Sequence, residues 1–68
     1  MRVDLDSAVP IYAQIEKQVR ALLGSGHWAP GDRLPSVREA AVRLRINPLT
    51  VMKAYRHLQE DGLIESRP

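Results

Sequence analysis

The sequence predicts a small, mainly α domain: a winged helix-turn-helix of three helices plus a short β-strand pair, with the wing truncated. Three observations predict it. Apolar residues recur at helical spacing in three separate runs. Only Arg45, Ile46 and Asn47 separate the second run from the third, which restarts on the pair Asn47-Pro48. The third run ends at Gly62, ahead of the strand-like "LIES" of residues 63–66.

Helix 1 has Pro10 in its first turn, where the missing N–H has no intrahelical acceptor to lose, and Ser7 upstream as its cap. Ile11, Ile15, Val19, Leu22 and Leu23 form its inner stripe, with Gln14, Lys17, Gln18 and Arg20 between them; Gly24 to Gly26 end it. Pro30-Gly31 fits the centre of a type II turn, and Arg33-Leu34 leaves room for only a very short strand before Pro35. Trp28 reads as a hydrophobic lid over helix 1, with a stacking platform for a base as the alternative. Ser36 opens helix 2 with the capping box "SVRE", in which the Ser36 hydroxyl takes the Glu39 N–H and the Glu39 carboxylate reaches back. Val37, Ala40, Ala41 and Leu44 face inward, and the helix ends at Leu44 or Arg45. Asn47 is then an N-cap and Pro48 the first helical residue of helix 3, so this proline starts a helix. Helix 3 runs to Asp61, and Gly62 is its left-handed C-cap.

Sixty-eight residues make one domain. A chain of this size hides only about 60% of its unfolded surface, so its stability is marginal. No cysteine is present to staple it, which suits a reducing cytoplasm. His27 and His57 lie far apart, without the spacing of a metal site. Charges interrupt the first apolar stretch, which excludes a signal peptide or a membrane span there. No Ser/His/Asp set, paired carboxylates or Gly-rich phosphate loop points to an enzyme, and no cofactor is expected. The net charge of +2 is unevenly spread. Residues 1–31 balance, residues 32–57 carry six cations against Asp32 and Glu39, and residues 58–68 carry Arg67 against Glu60, Asp61 and Glu65. A basic middle is the electrostatic footprint of a polyanion partner.

Rotation of helix 3 at about 100° per residue puts Val51, Ala54, Tyr55 and Leu58 inside. Leu49, Lys53, Arg56, His57 and Glu60 lie opposite, with Thr50 and Met52 at the margins. That surface suits a major groove. Lys53 reaches guanine acceptors or phosphate, Thr50 bonds base or backbone, and Leu49 touches a thymine methyl. The helix N-terminus offers N–H groups to phosphate. Arg38 and Arg43 on helix 2 suit phosphate contacts, because the first helix of such a pair crosses the DNA backbone. Arg33 and Arg45 read equally well as solvated surface.

"PIYAQIEKQVRALLGSG" followed by "PGDRLPSVREAAVRLRINPLTVMKAYRHLQEDGLIESRP" resembles the DNA-binding domain of GntR-family bacterial transcription regulators over Pro10 to Pro68. "P-I-Y-x-Q-I" and "N-P-x-T-V-x-K-A-Y" are most similar to its YtrA-type branch. The resemblance implies sequence-specific binding of double-stranded DNA at a palindromic operator by a homodimer, usually a repressor, with residues 47–61 in the major groove. It implies that residues 1–68 are one domain at the N-terminus of a longer protein, whose dimerisation and small-molecule effector region lies outside them. Carried over by position, Arg38 is the family's arginine after "LPSx", a phosphate or base contact, and Asn47, Pro48, Leu49 and Thr50 open the recognition helix, followed by Lys53. Together with Ser36, Arg43 and Arg56 from the reading of the residues, the candidate DNA-binding residues are Ser36, Arg38, Arg43, Asn47, Leu49, Thr50, Lys53 and Arg56. Pro48, Leu49 and Met52 depart from the polar or arginine side chains that many relatives place there, which makes base readout thinner or more apolar. Two other readings compete. One is the same module fused to an aminotransferase-like domain, as in the MocR-type branch. The other is a winged-helix module that binds protein, which the cations Lys53 and Arg56 disfavour and which Leu49 and Met52 favour.

Overall fold

A computed structural model describes residues 2–29 and 34–64. The helices are α1 (Ile11–Gly24), α2 (Val37–Leu44) and α3 (Pro48–Glu60). α3 is the centre of the fold: α1 and α2 each pack on it and not closely on each other. Ile15 and Val19 from α1, Ala40 and Ala41 from α2, and Val51, Ala54, Tyr55 and Leu58 from α3 form the buried core. The two alanines leave α2 thin on its inner side, so the short helix can lie close against α3. Trp28, Ile46 and Leu63 are partly buried against this core, a packing role for the tryptophan.

Helix boundaries follow cap chemistry. Asn47 Oδ1 accepts the Leu49 N–H at 2.9 Å, and Pro48 occupies the first turn. Ser36 Oγ accepts the Glu39 N–H at 3.0 Å, which is half of the expected capping box. The return bond from Ser36 N–H to the Glu39 carboxylate is not among the hydrogen bonds of the described residues. α3 ends in a Schellman motif: Gly62 at φ 75° donates to Gln59 O and Leu63 donates to Leu58 O, both at 2.9 Å. α2 ends the same way on a residue that is not glycine. Arg45 stands at φ 57°, its N–H donating to Val42 O at 3.3 Å while Ile46 N–H reaches Ala41 O at 3.1 Å. That pair of bonds folds the chain back sharply enough for α3 to start two residues later. A side chain in the left-handed region costs about 1–2 kcal/mol. Arg45→Gly should therefore stabilise the domain by about 0.5–1 kcal/mol, after the added freedom of the unfolded chain is set against it. The check is a thermal melt, which should rise by a few degrees; an unchanged or lower midpoint would contradict the strain at this turn.

Two expectations need correction, and one contact was not foreseen. Ser7 is not the cap of α1: its Oγ accepts the Val9 N–H at 3.1 Å, and Pro10 itself occupies the cap position without a side-chain bond. Gln14 and Gln18, which lie between the stripe residues, clamp the segment before α1. Gln14 accepts the Asp4 N–H at 2.7 Å and donates to the carbonyls of Asp4 and Val9, both at 2.9 Å. Gln18 accepts the Arg2 N–H at 3.0 Å and donates to its carbonyl. Side-chain amides thus pair with the backbone of the irregular, turning segment before α1. The predicted β-strand pair is not found among the described residues. Leu34 is irregular, and Leu63 and Ile64 form a bend packed on the core, because Leu63 N–H is committed to closing α3. The turn at Pro30-Gly31, Arg33, and the rest of "LIES" lie outside the described residues.

Tyr55 ties the approach to α2 onto α3. Its ring is buried and its OH donates to Pro35 O at 2.8 Å. Burial, and secondarily the Glu39 carboxylate, push its phenol above the ordinary value of about 10. The sign follows from linkage: the stability held by the neutral phenol is full below about pH 10 and is lost as pH rises through the raised folded value. Tyr55→Phe should cost about 1 kcal/mol at neutral pH and flatten the loss of stability above pH 10 in urea titrations. An alkaline loss as steep as the parent's would exclude Tyr55 as its source.

Candidate nucleic-acid interface

The α2–α3 turn, fixed by Arg45 and the Asn47 cap, leaves one side of α3 unpacked. Leu49, Lys53 and Arg56 lie on that side and are exposed, as sequence rotation predicts, and Met52, expected at its margin, is exposed as well. Leu49 is 69% and Met52 43% exposed. Glu60 is the only acid on this side of α3, three turns from the leading end, so the stretch from Leu49 to Arg56 is cationic. Thr50 is half-buried and sits at the margin, and its N–H is taken by Asn47 O at 3.0 Å.

The amides at the start of α3 are less available than expected. Pro48 has none, and those of Leu49 and Thr50 are both held by Asn47. Asn47 is exposed, and its Nδ2 carries no hydrogen bond among the described residues, so the donor half of the side chain faces outward while the acceptor half caps. Ser36 has the same arrangement: the oxygen accepts from Glu39 N–H and leaves the hydroxyl proton to donate. Arg38 and Arg43 are both exposed, but five residues apart on α2 they fall on opposite flanks, about 140° around the axis. The fold therefore does not set them side by side.

Lys53 is held at the edge of this surface. Its Nζ lies 4.1 Å from the centroid of the Tyr12 ring, a cation–π contact from α3 to α1. Tyr12 meets the His57 ring edge-on at 5.7 Å, and His57 Nδ1 lies 3.0 Å from Glu16 Oε2. Arg20 pairs with Asp61 and stands 3.9 Å from Glu16. These groups make a polar seam along α1 and α3. His57, which rotation placed on the outward side, belongs to this seam and is half-buried. Tyr12 is the residue that sequence reasoning missed. Its only signal was its place in "PIY", one helical turn before Glu16.

This scaffold belongs to the class of helix-turn-helix DNA-binding domains of transcription regulators, and not to an enzyme class. Residues 11–68 match the family described as bacterial regulatory proteins, gntR family, and the chain belongs to that family. It is 47% identical over 66 residues to the HTH-type transcriptional repressor YtrA of Bacillus subtilis, covering 97% of this chain and 51% of that protein. The solved structure of YtrA from Sulfolobus acidocaldarius, a GntR-family transcription factor, is 48% identical, with a TM-score of 0.90 over 96% of this chain and 69% of that one. An uncharacterized HTH-type transcriptional regulator of Escherichia coli, YdcR, is 42% identical over 57 residues, covering 84% of this chain but 12% of that much longer protein. The chain spans about half the length of the short curated relatives that it matches. No helix among the described residues is long and apolar enough to cross a membrane.

Proposed function

We propose that residues 1–68 are the DNA-binding domain of a cytoplasmic transcription repressor. It engages each half of a palindromic operator with α3 in the major groove, as part of a homodimer. Dimerisation and response to a small-molecule effector are assigned to chain outside these residues. Lys53, Arg56, Arg38 and Arg43 contact phosphates, with Ser36, Asn47 and Thr50 donating hydrogen bonds at the edges and Leu49 against the bases. The observation that supports this reading is the exposed side of α3, cationic through Lys53 and Arg56 and held outward by α1 and α2.

Fluorescence anisotropy with a labelled generic duplex tests it. Each phosphate contact contributes a slope of about −0.9 to the plot of log affinity against log salt. Four cations thus predict about −3 to −4 for one domain, on weak binding at low salt. Absence of binding at low salt, or affinity that ignores salt, would contradict the proposal.

A further inference from the structure

We infer that the base readout of α3 is chiefly apolar: Leu49 and Met52 recognise thymine methyl groups in the major groove. The inference rests on the DNA-binding reading above and adds the chemistry of the sequence being read. A base-pair edge in the major groove offers hydrogen-bond donors and acceptors, and one apolar group, the C5 methyl of thymine. The side chains that read purines by paired hydrogen bonds are Arg, Lys, Asn and Gln. At the leading end of α3 the two candidates of this kind are engaged. Asn47 Oδ1 already holds the Leu49 N–H at 2.9 Å, so a paired contact to adenine would break the cap. The Lys53 ammonium rests on the Tyr12 ring at the flank, nearer a backbone position than a base.

Leu49 and Met52 remain, at 69% and 43% exposure. Three residues apart, they are neighbours on one helical face, separated by about 4.5 Å along the axis. That is close to the 3.4 Å step between base pairs on one strand, and an unbranched Met side chain adapts to the difference. Lys53 and Arg56 on the same side make the surroundings of this apolar pair cationic, which fits a groove walled by phosphates. Covering a methyl group in this way changes affinity by about fourfold.

The test begins with the protein selecting duplexes from a randomised library. The enriched duplex is then resynthesised with deoxyuridine in place of thymine, one position at a time, which removes only the methyl. One or two positions in each half-site should lose about fourfold in affinity, with an unchanged salt slope. In Leu49→Ala and Met52→Ala, thymine and uracil duplexes should bind alike at the position each residue covers. Both side chains are exposed, so these variants should melt with the parent. An enriched duplex that binds with steep salt dependence but is indifferent to uracil overturns this inference and leaves the DNA-binding reading standing. Uracil losses that persist undiminished in both variants overturn it as well. Failure to enrich or bind any duplex overturns both.

Discussion

Leu58→Ala should remove about 2–5 kcal/mol of stability, enough to leave much of the population unfolded at room temperature. Leu58 is 0% exposed and belongs to the helix on which both others pack. Truncating a buried leucine loses its transfer free energy and leaves a cavity that the surroundings fill only in part. Collapse is hindered here because its core neighbours Ile15, Val19 and Val51 are also fully buried. A domain this small has a total stability near the low end of about 5–15 kcal/mol. Urea unfolding followed by far-UV circular dichroism should show the folded baseline shortened or gone. Leu49→Ala makes the same chemical change on the same helix, nine residues earlier and 69% exposed. It should alter stability by no more than about 0.5 kcal/mol. Similar losses from the two substitutions would mean that the inward and outward sides of α3 are wrongly assigned.

The second large effect concerns binding without stability. Arg38→Ala should weaken duplex binding about 10- to 100-fold, the scale of one charged hydrogen bond, and make the salt slope shallower by about one. Arg38 is exposed in the first turn of α2, so its loss should leave the melt unchanged. Arg20→Ala is the counterpart. Arg20 pairs with Asp61 and Glu16 in the α1–α3 seam, away from the proposed contact surface. Its removal should cost at most about 1 kcal/mol of stability, because Arg20 and its nearer partner Asp61 are both about half exposed, and should leave the salt slope as it was. Equal losses of affinity in the two variants would point to general electrostatics, not to a contact at Arg38.

Local chemistry made most of the helical frame legible. Asn47-Pro48, Ser36 with Glu39, and Gly62 are signals whose geometry is decided within four residues, and each marks a boundary of α2 or α3. The buried faces followed from the helical periodicity of the apolar residues. What sequence reading missed is long-range or opposed by local preference. The Glu16–His57 and Arg20–Asp61 pairs join residues 41 positions apart, and no spacing rule announces them. The clamp that Gln14 and Gln18 form was not foreseen, because nothing local shows that the segment before α1 will run beside them. Arg45 adopts a glycine-like conformation because the Schellman bonds of α2 require it there. For the interface, rotation identified the exposed side of α3, but only the fold reveals that Tyr12 holds Lys53 and that the opening amides are already engaged.

The most direct test of the central claim, that the exposed side of α3 is what meets DNA, is an NMR titration of the protein with a short duplex at low and then physiological salt. The account predicts amide shifts concentrated at Arg38 and at residues 47–56, fading as salt rises, with Ala13, Lys17 and Ala21 on α1 unmoved. Shifts centred on α1 or Trp28 while residues 47–56 stay still would contradict it.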